Sequence, residues 1–347
     1  MPVKKFFATL TTVKHTRQFL SSFLAIAGML CCFACCPQWS VAGTPPVNVA
    51  GFNSYTSDPK AEGDFQTLVI PFKRADGLLL VEANIDSVEG NFILDTGAPY
   101  LVLNKTYFRN GKQTEGSLSA GVTGGASAVL HTTVGKLQIQ ELFYRNVQAD
   151  VVSLGHIEDD KGIKIFGMLG ANLFMDMEME IDVRNSVIYL YKLNKNGDRL
   201  DVSSNHSNAA PGLQIPIEVQ NSIIFVNASV GKNKLRFCLD TGAEVSVLSN
   251  NVSNKVLETF HLVSRNTLMG SGNKKVEVLG GQLDELTIGN HVFTDLQAIL
   301  TGLGGLESVY NTSLQGILGF NFLDQGRVLI NFRKKQLTMY FYNIENK

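Results

Sequence analysis

Phe92-Ile93-Leu94-Asp95-Thr96-Gly97-Ala98 and its near copy Phe237-Cys238-Leu239-Asp240-Thr241-Gly242-Ala243 decide how the rest of the chain is read. Each is a short apolar, strand-forming run that stops at a carboxylate. A charge at the end of a buried strand is costly unless something pairs with it. The same arrangement in two matching contexts points to two carboxylates that meet.

Working outward, the match extends well beyond the motif. At a shift of 145 positions, Leu68-Val69-Ile70-Pro71-Phe72 lies over Leu213-Gln214-Ile215-Pro216-Ile217, and Leu78 to Val81 lies over Ile223 to Val226. Val102-Leu103 lies over Val247-Leu248 without a gap. Farther on, Gly167-Met168-Leu169-Gly170-Ala171-Asn172 matches Gly316-Ile317-Leu318-Gly319-Phe320-Asn321 at a shift of 149, the drift being loop length. Each copy closes with a hairpin-like tail: 180–183 with 187–191, and 328–332 with 337–341, turning at Asn185-Ser186 and Lys334-Lys335. Short β-type runs punctuated by Gly and Asn predict an all-β chain with two similar lobes, at 66–193 and 213–347. A polar, aperiodic linker at 194–212 joins them, and a loose lead-in spans 43–65. Helical signals are confined to 253–260 and about one turn after Asn104.

The chain has 347 residues, 44% of them hydrophobic, and a net charge of −1, so no basic balance points to nucleic acid. Residues 1–42 hold Lys4, Lys5, Lys14 and Arg17, then an apolar run through Leu30, then Ser40-Val41-Ala42 with small residues at the cleavage-determining positions. This reads as a secretory signal. An uncleaved anchor ranks second, and lipidation at Cys35 or Cys36 third. Each route exports the remainder, to a periplasmic, secreted or envelope-associated location. Removal of four positive and no acidic residues takes the charge from −1 to −5 and leaves Cys238 as the only cysteine, with no internal disulfide available. Cys238 aligns with Ile93 and reads as a small buried apolar residue.

Asp-Thr-Gly-Ala after an apolar strand, followed some 75 residues later by two apolar residues and Gly, resembles one lobe of an aspartic peptidase. Ala98 and Ala243, with no Trp after either motif, make both halves similar to the retropepsin variety. The whole resembles bacterial exported retropepsin-like peptidases, with two protomers fused in tandem over about residues 66–343. The resemblance implies two pseudo-symmetric β-barrel lobes with the active site at their interface, and a peptide or protein substrate bound in extended form. It also implies activity as a monomer, with no metal or other cofactor. Amide hydrolysis by water needs a base for the water and an acid for the carbonyl oxygen. Two adjacent carboxyl groups that share one proton supply both. Asp95 and Asp240 are the expected dyad.

By the same resemblance, Thr96 and Thr241 would hydrogen-bond across the interface. Gly97 and Gly242 would permit the sharp turns, and Gly170 and Gly319 would pack behind the catalytic loops where a side chain would clash. Glycine-tipped hairpins at Thr123-Gly124-Gly125-Ala126 and Met269-Gly270-Ser271-Gly272-Asn273 would be flaps over the substrate. Pro99 and Glu244, the residues after each motif, differ chemically and would make the substrate cleft lopsided. The alternative is a peptide-binding module that keeps the fold without the activity. Two other signals are set aside: His156 to Asp160 reads as a solvated loop rather than a metal cluster, and Thr301 to Gly305 is Gly-rich, with no helix expected to open there.

Overall fold

The structure, a computed structural model, describes residues 58–109, 114–119, 127–201, 210–269 and 275–342. The doubled sequence becomes a doubled ring of strands. Leu78–Ile85 and Ile223–Val230 hold the same positions in the two copies and bury the same pattern of side chains. In the first lobe the ring runs Leu78–Ile85, Val88–Asp95, Gly167–Gly170, Leu101–Asn104, Leu142–Val152 and Ser127–Ile139, and Ser127–Ile139 pairs back on Leu78–Ile85. In the second it runs Ile223–Val230, Asn233–Leu239, Gly316–Leu318, Ser246–Ser249, His291–Thr301 and Lys275–Ile288, closed by Ser229 opposite Thr287.

Both rings owe their site to the same crossing. Val88–Asp95 runs parallel to Gly167–Gly170, with Asp95 opposite Gly170, and Gly167–Gly170 runs antiparallel to Leu101–Asn104. Asn233–Leu239, Gly316–Leu318 and Ser246–Ser249 repeat this. Strands buried on both faces read as continuous apolar runs, which is why the stretches before Asp95 and Asp240 carry no alternation. Phe92, Leu94, Phe237 and Leu239 fill one continuous core. Cys238 sits beside Phe225 and Ile317 in a second cluster, as its apolar reading requires.

The predicted tails form as hairpins and do more than close each lobe. Met177–Asp182 pairs with Val187–Lys192, and Gly326–Asn331 pairs with Gln336–Phe341. The two hairpins then join edge to edge, Val328 opposite Ile181 and Ile330 opposite Met179. Thr67–Pro71 and Leu213–Pro216 extend the outer edges into a six-strand sheet that bridges the lobes. Glu180, buried in this sheet, receives Arg327 Nη1 at 2.9 Å and the Tyr191 hydroxyl at 2.8 Å. Residues 194–201 of the expected linker turn back onto it, with Arg199 paired to Glu178.

Three expectations are corrected. His156 to Asp160, read as a solvated loop, lies in the α-helix Gly155–Lys161, and Gly304–Tyr310 is also α-helical although no helix was expected there. Both are too short for a periodic signal, and neither has a side-chain cap. Packing makes them: Leu154 and Ile157 in one lobe, and Leu303 and Leu306 in the other, are buried. Nor is Glu158 solvated. It accepts from the Tyr107 hydroxyl at 2.6 Å, Ile165 N at 2.9 Å and Asn104 Nδ2 at 3.1 Å. Glu307 takes Leu314 N in the same way at 2.9 Å. The helical signal at 253–260 shrinks to Asn254–Leu257, because Phe260 already starts a strand.

Candidate active site

Asp95 ends its strand and Asp240 directly follows its own, both within the interface, with 0% and 5% of their surface exposed. Asp95 Oδ1 accepts from Gly97 N at 2.9 Å and Ala98 N at 3.0 Å, and Asp240 Oδ1 accepts from Gly242 N at 2.8 Å. Each carboxylate also lies against the opposite lobe's glycine. A Cβ on Gly97 would stand 2.4 Å from Asp240 Cγ, and one on Gly242 would stand 2.8 Å from Asp95 Cγ. Any side chain at either position would push the carboxyl groups apart.

Behind them the two threonines form a buried, symmetric latch. Thr96 N donates to Thr241 Oγ1 and Thr241 N to Thr96 Oγ1, both at 3.0 Å. Each hydroxyl then donates across the interface, Thr96 to the Leu239 carbonyl at 2.8 Å and Thr241 to the Leu94 carbonyl at 2.7 Å. The latch ties together the ends of the two strands that carry the aspartates.

Gly170 and Gly319 sit where the backbone crosses. A Cβ on Gly170 would fall 2.2 Å from the Tyr100 carbonyl oxygen, and one on Gly319 would fall 2.6 Å from that of Ala243. The following residues tie the crossing down: Ala171 N donates to Ala98 O at 2.9 Å, and Phe320 N to Ala243 O at 2.7 Å.

Electrostatics follow from crowding. Burial raises the Asp95 carboxyl well above the usual carboxylate range, and the neighbouring Asp240 charge pushes the same way. Asp240 is raised by burial too, but is held lower by Gly242 N–H and by the bond from Asp95. Both groups are therefore biased toward the protonated form, and any titration belongs to the pair.

The other expected site residues divide. Gly124, Gly125, Gly270 and Gly272 lie outside the described residues. The arms beside them pair antiparallel, up to Ser119 opposite Ser127 and Met269 opposite Lys275. Pro99 is half-buried and its carbonyl accepts from Asn172 N at 3.2 Å. Glu244 is only 3% exposed, and the carboxylate expected to line the cleft is taken up by Lys161 at 2.8 Å. Among the described residues, no group of three or more His, Cys, Asp or Glu side chains could hold a metal ion.

Two contributors escaped the sequence reading. Asn321 Oδ1 accepts from both Ser246 N and Ser246 Oγ at 2.8 Å, and Ser246 Oγ in turn accepts from Gly319 N at 3.1 Å. In the first lobe Leu101 replaces Ser246 and offers no hydroxyl, and among the described residues the buried Asn172 Oδ1 has no hydrogen-bond partner. The signal was present, since both Asn residues stand two places after the supporting Gly. Lys161 gave no signal, because nothing in the sequence ties it to Glu244.

A family described as aspartyl protease matches residues 81–173 and 226–322, one segment in each ring. No curated protein matches the chain. Among solved structures, an aspartic proteinase from Irpex lacteus is similar at 12% identity, covering 81% of this chain and 98% of its own, with a TM-score of 0.50. A retropepsin-like aspartic protease from Rickettsia conorii is 21% identical over 39% of this chain and 95% of its own, with a TM-score of 0.27. With the family matched once per ring, over more than half of the sequence, the chain belongs to the aspartyl protease family.

Proposed function

We propose that this protein is an aspartic endopeptidase in which Asp95 and Asp240 together activate water against a peptide bond. The observation that carries the reading is the interlocked pair of Asp-Thr-Gly loops, in which each buried carboxylate rests against the other lobe's glycine. One carboxylate takes a proton from the attacking water while the protonated partner donates to the carbonyl oxygen. The roles then reverse as the leaving nitrogen is protonated. No covalent intermediate is involved. The hairpins flanking 120–126 and 270–274 would pair with the backbone of an extended peptide and exclude water.

The same proposal includes activity as a monomer, since one chain supplies both motifs, with lobes at 66–193 and 213–347. It also includes export directed by residues 1–42. The deciding experiment is digestion of a diverse peptide pool from acid to neutral pH, read by mass spectrometry, with Asp95→Asn and Asp240→Asn alongside. Wild type is expected to yield products, and each substitution is expected to abolish them while leaving the circular dichroism unchanged. Cleavage that survives in either variant sinks the assignment. Peptide binding without product from the wild type would select the inactive binding module instead.

A further inference from the structure

Immediately after the second Asp-Thr-Gly-Ala, three carboxylates converge on one ammonium at the seam between the lobes. Lys161, at the end of helix Gly155–Lys161, has a side chain only 2% exposed. Its Nζ lies 2.8 Å from Glu244 Oε1, 2.6 Å from Asp76 Oδ2 and 3.1 Å from Asp160 Oδ2. Lys161, Asp160 and Asp76 belong to the first lobe, and Glu244 belongs to the second. The hairpin tip that carries Asp76 is seated on the same residue: a Cβ on Gly77 would stand 3.0 Å from Glu244 Cα. Just behind, Arg74 lies over the Phe320 ring at 4.6 Å.

We propose that Lys161 and Glu244 form an acid-favoured clamp between the lobes that positions the second Asp-Thr-Gly loop against the first. Glu244 is a positioning residue here, not a substrate-binding one. It stands two residues beyond Gly242, whose N–H holds Asp240 and on which a Cβ would stand 2.8 Å from Asp95 Cγ. Anchoring Glu244 to the opposite lobe therefore fixes the separation of the two carboxyl groups. The pseudo-symmetric positions cannot repeat the contact. Asp76, Asp160, Lys161 and Glu244 correspond to Asn221, Val309, Tyr310 and Pro99, so the clamp is written once.

The acid preference follows from counting charges. One ammonium cannot neutralise three carboxylates, and among the described residues the buried Glu244 carboxylate has Lys161 as its sole polar partner. Burial raises Glu244 to about 7 against the pull of Lys161, with Asp76 and Asp160 adding to the rise. Burial works against the charge on Lys161, but the surrounding carboxylates outweigh it and raise the ammonium above its ordinary value. A carboxyl group raised by docking favours the docked state below its ordinary value. It loses that contribution as pH rises through about 7, biasing docking by a factor on the order of a hundred.

The inference rests on the peptidase reading for its catalytic consequence only, and the test separates the two. Thermal unfolding midpoints are measured from pH 4 to 9 for wild type, Glu244→Gln, Lys161→Arg and Lys161→Met, together with pH profiles of kcat and KM for cleavage. The wild-type midpoint is expected to fall between about pH 5 and 8. Glu244→Gln should remove that part of the fall, Lys161→Met should displace it to higher pH, and Lys161→Arg should restore it. The alkaline limb of kcat should move up by about one pH unit in Glu244→Gln, with KM within about twofold. Parallel unfolding profiles for wild type and Glu244→Gln would overturn the clamp even if cleavage is robust. A protein that cleaves nothing but shows the divergence keeps the clamp and loses the peptidase. Should Lys161→Met fail to fold, Glu244→Gln decides alone.

Discussion

Replacing Thr96 by Val keeps the shape of the side chain and deletes a single hydroxyl from the latch between the lobes. That hydroxyl accepts from Thr241 N at 3.0 Å and donates to the Leu239 carbonyl at 2.8 Å, and both threonines are fully buried. The variant therefore leaves one backbone N–H and one carbonyl without these partners, away from water. Each such group costs about 1–3 kcal/mol, so the variant should lose about 2–6 kcal/mol. Against a total stability of about 5–15 kcal/mol, this is a large fraction. Urea unfolding is the assay, and a midpoint lowered by about 1 M or more at unchanged slope is expected. Thr96→Ser retains the hydroxyl and should cost less than about 1.5 kcal/mol. Thr241→Val, which deletes the bonds to Thr96 N and Leu94 O, should match Thr96→Val closely. A Thr96→Val protein within about 0.5 kcal/mol of wild type would refute the latch as a stabilising device. A Ser variant as damaged as the Val variant would show that the methyl packing, not the hydrogen bonds, carries the effect.

Gly170→Ala places a methyl 2.2 Å from the Tyr100 carbonyl oxygen and should prevent folding or lower the melting temperature severely. By contrast, Gly304→Ala in the first turn of a helix meets nothing within 4 Å and should raise stability by about 0.5–1 kcal/mol, both read by calorimetry. Asp95, with its carboxyl raised by burial and by Asp240, penalises the folded state once pH exceeds the ordinary carboxylate value. Asp95→Asn should therefore melt higher than wild type at pH 7, while the difference shrinks toward zero near pH 3; an equal difference at both pH values would contradict this reading.

What could be read from the sequence is whatever the repeat writes twice. Asp95 and Asp240, the supporting Gly170 and Gly319 and the terminal hairpins appear at near-constant shifts, so comparing the chain with itself exposes them. The helices Gly155–Lys161 and Gly304–Tyr310 are also written twice, yet seven residues hold too few turns for a period to emerge. They exist because Ile157 and Leu306 find a sheet to cover. The edge-to-edge joining of the two tail hairpins was not legible either. Strand pairing between distant segments depends on which edges are left open, and each hairpin's own pattern is satisfied without the other.

Glu244 is where the two copies part. By resemblance, its contrast with Pro99 suggests a difference in how the two lobes meet substrate. The structure gives that difference another use. Two lobes related by near-perfect symmetry would have equivalent seams on both sides of the dyad, whereas this seam carries Lys161, Asp76 and Glu244 on one side only. The threonine latch is symmetric and insensitive to protonation, so it holds the loops together at any pH. A one-sided charged contact adds what the latch cannot, a bias in the separation of the lobes that depends on acidity. The chemistry of the site is thus built from what the two copies share. Beyond the titration of the shared carboxyl pair, a further dependence on acidity is built from the residues by which the copies differ.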